Sequence, residues 1–277
     1  MRTPDTAFAA AAARWHIATP STSARLPGVQ MAGFRTRTSD PVDLSVIPYP
    51  AVTLLIDLSD GLHAIDDSGN RRQQSDVVLG LAPGRVRGGG HDIETLQVRL
   101  SPVVAHAVLD GSAHLTGTTA ALEDLWGPEA ARIHERLRAA ASWDDRFAIV
   151  AATLARRLAT GRAVDPEVAF AWRQTVATCG QVRVEQLAAD AGWSRKRLWS
   201  RFRSQIGMSP KRAGRLVRFD HAARRLVAGH SPALVAAESG YVDQSHLHRD
   251  VMTFADMTPT AVAVAPWLAV DDVAWAT

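Results

Sequence analysis

Leu187-Ala-Ala-Asp-Ala-Gly-Trp193 and Val235-Ala-Ala-Glu-Ser-Gly-Tyr241 are two versions of one seven-residue phrase, 48 residues apart. Each sets an apolar anchor, two alanines, an acid, a small residue, a glycine and an aromatic in the same order. The alanines let two helices cross closely, the glycine adopts positive φ and ends a helix of about two turns, and the aromatic packs beneath the turn. The repeat predicts two helix-turn-helix units in tandem.

The helix after each turn has a clear polarity. Behind the first, Ser194 is placed to cap, and Leu198, Phe202 and Ile206 recur every four residues as an inward stripe. Lys196, Trp199, Ser200 and Arg203 share the opposite face, flanked by Arg195 and Arg197. Behind the second, Asp243 caps, Leu247 and Val251 face inward, and Gln244, Ser245, His248 and Arg249 face outward. Gln and Arg pair with adenine and guanine edges, and Ser adapts to either. A solvated polar face would use the same residue types, but it has no reason to recur behind the same turn.

Helix starts are marked by Asp165-Pro166, Ser209-Pro210, Ser231-Pro232 and Thr258-Pro259, each a capping oxygen before a proline whose fixed φ suits the first turn. Pro210 to Ala228 reads as one helix, with Leu216, Phe219, Ala223 and Leu226 on its apolar stripe. Its length of roughly 30 Å is close to one turn of B-DNA, about 34 Å, which is the separation at which two heads meet successive major grooves.

Charge follows the repeat. Thirteen basic and six acidic residues lie between Gln181 and Asp250, a net +7, whereas the remaining 18 basic and 22 acidic residues give −4. Such a concentration suits a polyanion. The chain has 277 residues, enough for two domains, and 47% of them are hydrophobic, which excludes general disorder. No stretch matches a membrane span or a secretory signal, and the lone Cys179 cannot form an internal disulfide, so a cytoplasmic protein is expected, with Cys179 as a small buried filler.

Upstream, residues 1–41 read as a partly irregular leader and 42–115 as a small β-rich domain, a barrel or sandwich. Its strands are Val52–Leu58, Leu62–Ile65, Val77–Leu81 and Ile93–Leu100, with turns at Asp60-Gly61, Asp66–Gly69 and Gly88–Gly90. From 116 to 165 helical spacing takes over, in Leu122 to Trp126, Pro128 to Ala141 and a third helix from Asp144. These helices cover the sheet, lead into the next domain or pair with a second subunit. Residues 166–277 form the helical domain, so the fold class is α+β in two domains.

Gly192-Trp-Ser-Arg-Lys-Arg-Leu198 with Arg201-Phe202, Gly207-Met-Ser-Pro210, Gly240-Tyr-Val-Asp-Gln-Ser-His-Leu247 with Arg249, and Met257-Thr-Pro259 together resemble the AraC/XylS transcription regulators over residues 181–264. The resemblance implies a seven-helix domain with two reading heads that activates or represses transcription. The family's base-contacting positions fall on Lys196, Trp199 and Ser200 and on Gln244, Ser245, His248 and Arg249. Ser200 stands where that family often has Arg, and Val251 where it has Phe, which predicts looser packing of the second head. Double-stranded DNA and RNA polymerase are the implied partners, with a homodimer as an option.

The N-terminal half resembles the family's cupin-like sensor domains only in its strand-then-helix order, which implies a small-molecule effector whose contacts the sequence does not mark. His63, His91, Glu94 and His106 are too scattered for a metal site, and no cofactor is expected. Two alternatives to an effector-responsive regulator stay open. One is a regulator whose N-terminal domain only dimerises; the other is a cupin-type enzyme with secondary DNA binding.

Overall fold

The computed structural model describes residues 13–21, 26–59, 62–65, 71–72, 76–82, 86–265 and 274–275. The β-rich half is built from β1 (Trp15–Ala18), β2 (Val29–Thr36), β3 (Val42–Val46), β4 (Val52–Asp57), β5 (Leu62–Ile65), β6 (Arg71–Arg72), β7 (Asp76–Leu79), β8 (Val86–Gly90), β9 (Glu94–Leu100) and β10 (Thr119–Ala121). A larger sheet runs β1-β2-β9-β4-β7-β10 and a smaller one β3-β8-β5-β6. The described pairs are antiparallel, and neither sheet closes on itself, so of barrel and sandwich the open, two-sheet form is the one adopted.

Three sequence expectations change here. Within the expected leader, β1 and β2 are formed strands, and β2 pairs along β9 from Val29↔Leu100 to Arg35↔Glu94. Gly88–Gly90 is the end of β8 rather than a turn, because its backbone is paired on both sides, with Val42–Leu44 and with Leu62–Ala64. β10 lies beyond the point where strand signals fade, paired to β7 by three residues of small side chain. The turns read at Asp60-Gly61 and Asp66–Gly69 lie outside the described residues.

Alternation along the strands gives the larger sheet two different faces. Met31, Val52, Leu54, Ile56, Leu96, Val98 and Leu100 point to one side, where they join a core shared with helices. These are α1 (Pro102–Val108), a short 3-10 turn (Ser112–Leu115), α2 (Leu122–Trp126), α3 (Pro128–Ala139) and α4 (Trp143–Thr160). The helices of 116–165 thus cover the sheet. The Trp143 ring lies over Gly33, where any Cβ would collide with it, and stacks on Phe147. His134 of α3 bonds Asp76 of β7 at 3.1 Å, and that bond raises the His134 pKa against the opposing effect of burial.

The helical half consists of α5 (Pro166–Ala177), α6 (Val184–Asp190), α7 (Arg195–Ile206), α8 (Pro210–Val227), α9 (Pro232–Glu238), α10 (Gln244–Ala255) and α11 (Pro259–Ala263). Ser209, Ser231 and Thr258 accept amide hydrogen bonds as the predicted caps. Asp165 does not cap, because its carboxylate is taken by Arg201 of α7 at 2.7 and 2.9 Å. Cys179 is not a buried filler: it is half-buried in a left-handed turn, with φ of 49°.

The two halves share one continuous apolar core. The contact is made by the C-terminal end of α7, which packs on α1 and the 3-10 turn. Gly207, at φ of 93°, closes α7 so tightly there that a Cβ would lie 2.1 Å from Thr116 Oγ1 and 2.4 Å from the Ala113 carbonyl oxygen. Gln205 beside it accepts a hydrogen bond from the Asp165 amide.

Candidate nucleic-acid interface

In the first head, α6 ends in a turn through Gly192 at φ of 66°, and the Trp193 amide closes the turn on the Ala188 carbonyl. Ser194 Oγ then accepts from the Arg197 amide and starts α7. Leu198, Phe202 and Ile206 are buried, with Phe202 against Trp172 of α5. The second head repeats the arrangement. α9 ends at Gly240, φ 74°, the Tyr241 amide bonds the Ala236 carbonyl, and Asp243 Oδ1 accepts from the His246 amide to start α10.

All ten residues singled out by the sequence are exposed: Arg195, Lys196, Arg197, Trp199, Ser200 and Arg203 on α7, and Gln244, Ser245, His248 and Arg249 on α10. Several are held in place from the side. The Arg197 guanidinium lies 4.4 Å from the Trp193 ring centre, Arg203 lies 5.1 Å from that of Trp199, and Arg195 pairs with Glu185 of α6. Trp199 is 46% exposed, with its indole on the outward face of α7.

Val251, from which looser packing of the second head was expected, is fully buried. Phe254, one helical turn later, supplies the missing ring at 5.1 Å from Phe219 of α8. The second head is also tied to α8 by charge. Asp250, 2% exposed, accepts from Arg215 at 2.7 Å and lies 3.7 Å from Arg218, whose guanidinium sits on the Tyr241 ring. Sequence reasoning took Asp250 only as one of six acids in a charge count, since nothing in a helix repeat shows which acid turns inward. Burial of Tyr241 pushes its phenol far above the usual range.

Between the heads lies a groove of about 800 Å³, walled by Lys211, Arg215 and Arg218 of α8, Arg183 and Glu185 at the start of α6, and His246 and Arg249 of the second head. α8 itself has 18 residues, so it spans about 27 Å at 1.5 Å per residue.

The scattered groups of the N-terminal half have other tasks. Burial would raise the Glu94 carboxyl, but hydrogen bonds from Arg146 and Arg35 outweigh it and hold its pKa low. His91 is exposed beside Asp92, and His106 is buried on α1. The His63 side chain lies outside the described residues. Among the described residues, no three His, Cys, Asp or Glu side chains gather as a metal site would need, and no helix is long and apolar enough to cross a membrane.

Two helix-turn-helix units on a shared long helix, with polar faces outward, define a DNA-binding domain. Residues 187–263 match the family model described as a helix-turn-helix domain, and this unit is of the AraC type. No curated relative is found for the chain. Among solved structures, ToxT from Vibrio cholerae aligns at 12% identity and TM-score 0.46 over 85% of this chain and 98% of that one. The unsaturated fatty acid-bound form of ToxT aligns at 8% and 0.43, over 83% and 93%. The AraC-like transcriptional activator CuxR aligns at 14% and 0.24, over 88% and 93%.

Proposed function

We propose that the protein is a one-component transcription regulator that places α7 and α10 in successive major grooves on one face of DNA. The observation that carries this reading is the duplicated turn behind which every outward residue is exposed on both second helices. Lys196, Trp199 and Ser200 and, in the second head, Gln244, Ser245, His248 and Arg249 face base edges. Arg195, Arg197 and Arg203 flank the first head toward phosphates. The groove between the heads, with Arg183 and Lys211 on its walls, faces the intervening phosphates.

The β-rich half, from β1 to β10, is the sensing part, the helices from α1 to α4 are its cover, and the helical half from α5 to α11 is the reading part. A small-molecule effector acting through the first half, RNA polymerase as the target of activation, a homodimer and a cytoplasmic location complete the proposal. An enzyme is not favoured, because Glu94 is engaged by two arginines and His106 lies beneath α7.

Selection of genomic fragments with the full-length protein tests this. The expected result is a motif with two short elements one helical turn apart and affinity that falls steeply with salt. Arg249→Ala should cost about 1–3 kcal/mol at one base position if it reads guanine. An equal loss on every sequence would make Arg249 a phosphate contact. Binding without any sequence preference would overturn the proposal.

A further inference from the structure

The duplicated turn differs in length between its two copies. Trp193 and Tyr241 are 48 residues apart, whereas the caps Ser194 and Asp243, and the inward Leu198 and Leu247, are 49 apart. The second turn therefore holds one residue more than the first, and that residue is Val242. In the first head the residue before the cap is Trp193, half-buried against the core that contains Leu198, the fourth residue of α7. Packing onto the fourth residue of the helix is the ordinary role of an apolar side chain at this point. In the second head Tyr241 packs beneath the turn at 6% exposure and Val242 takes no part. It is 88% exposed, more than any other large apolar side chain among the described residues.

The backbone beneath Val242 is held from both sides. Its amide donates to His246 Nδ1 at 3.5 Å, the His246 amide donates to Asp243 Oδ1 at 2.7 Å, and the His246 ring meets that of Tyr241 edge-on, with centres 5.2 Å apart. Exposure of a single valine needs no explanation; its position is what matters. Val242 lies at the N-terminal end of α10, the end from which a recognition helix reaches base edges. It precedes Gln244 by two residues and lines the same groove as Arg249.

We propose that Val242 is a specificity-determining residue of the second head, and that its isopropyl group meets the C5-methyl of a thymine in the major groove, close to the base edge that Arg249 faces. Thymine is the one base that shows a methyl group there, and the remaining edges offer donors and acceptors. An isopropyl group would strip those of water without replacing a hydrogen bond. The contact thus favours thymine by covering its methyl and disfavours the other bases by desolvating them. Gln244, Ser245, His248 and Arg249 bring hydrogen-bonding groups to this end of the head, and Val242 brings an apolar one. This inference rests on the regulator reading above and names one base that the second head selects.

The test uses the full-length wild type, Val242→Ala and Val242→Ile on the selected DNA site, with each thymine of the site replaced in turn by deoxyuridine. That replacement removes only the C5-methyl and keeps the hydrogen bonds of the base pair. At one thymine the wild type should lose about fourfold in affinity, the scale of burying one methyl group. Val242→Ala should bind the unmodified site more weakly by a similar factor and no longer distinguish thymine from deoxyuridine at that position, whereas Val242→Ile should keep the distinction. Because Val242 is exposed, the three proteins should melt at the same temperature, and the deoxyuridine scan of the wild type needs no variant at all. No deoxyuridine penalty at any position, or the same penalty in wild type and Val242→Ala, would overturn the thymine contact. A loss in Val242→Ala that is equal on thymine and deoxyuridine would place the side chain on sugar or phosphate and overturn it too. If the wild type selects no site, the regulator reading falls and this one with it; a selected site without a deoxyuridine penalty removes this one alone.

Discussion

The first head leans on the β-rich half where Gly207 presses on Thr116 and Ala113, and it is tied to the start of α5 where Gln205 holds the Asp165 amide and Arg201 the Asp165 carboxylate. That ion pair, and to a lesser degree Gln205, keeps the Asp165 carboxyl below its usual pKa. The second head is anchored instead to α8, through the buried Asp250 with Arg215 and Arg218, and through Phe254 on Phe219. One turn design is thus fixed by close packing against the β-rich half in one copy and by charge against a connecting helix in the other. The first head therefore meets the β-rich half by direct contact, whereas the second is held through α8.

The comparison can be broken most sharply at Asp250. Asp250→Ala leaves Arg215 and Arg218 without their shared carboxylate and should cost about 3 kcal/mol, the lower end for removing one partner of a buried pair. Urea unfolding measures it, and a loss below roughly 0.5 kcal/mol, the scale of ordinary surface substitutions, would mean that apolar packing alone holds the second head.

At the first head, Gly207→Ala should cost about 2–3 kcal/mol, because the positive φ and the crowding against Thr116 and Ala113 add. Gly192→Ala has the same kind of φ with open space around its Cβ and should cost only about 1 kcal/mol. Equal losses in the two variants would show that the docking contact is not close in solution.

The first head's contact also has a pH signature. His106 lies buried on α1 near Gln205, Arg162 and Asp165, and burial pulls its pKa down, with Arg162 adding to the effect while Gln205 and Asp165 oppose it. A lowered folded pKa means that the unfolded chain takes up the proton first, so stability is complete above about pH 6.5 and falls as pH drops below it. His134, raised by Asp76, has the opposite sign: its stabilisation is complete below about pH 6.5 and fades as pH rises through its folded pKa. His106→Gln should flatten the acid-side slope in melting curves taken from pH 7 to pH 5, and an unchanged slope would place its origin elsewhere.

The smallest effect is expected at the end of α10. Asp256 closes the helix at φ of 51° where the first copy has Gly207, and its charge sits at the negative end of the helix dipole. Asp256→Gly should stabilise the second head by about 0.5–1 kcal/mol, read as a higher urea midpoint.

How much of this was legible before folding depended on range. The turns, caps and inward stripes of both heads follow from residues within one or two helical turns of each other, and Ser194, Ser209, Ser231, Asp243 and Thr258 cap as their spacing predicts. The Ser101-Pro102 start of α1 carried the same signal as the later caps and passed unread, and with it the helix that docks the first head. Where a distant partner decides, local pattern misleads. Gly88–Gly90 reads as a turn until β3 and β5 pair with it, and Asp165 reads as a cap until Arg201 takes its carboxylate. The place of Trp275 beside Arg99 could not be read from either end of the chain alone.

The central claim, two heads reading one face of DNA together, is tested most directly by inserting about 5 bp, half a turn, between the two elements of a selected site. With both heads engaged across α8, the account predicts that affinity for the full-length protein falls to that of a site with one element destroyed, and that about 10 bp, a full turn, does not restore it because α8 has a fixed length. Affinity unchanged by the half-turn insertion would contradict the account.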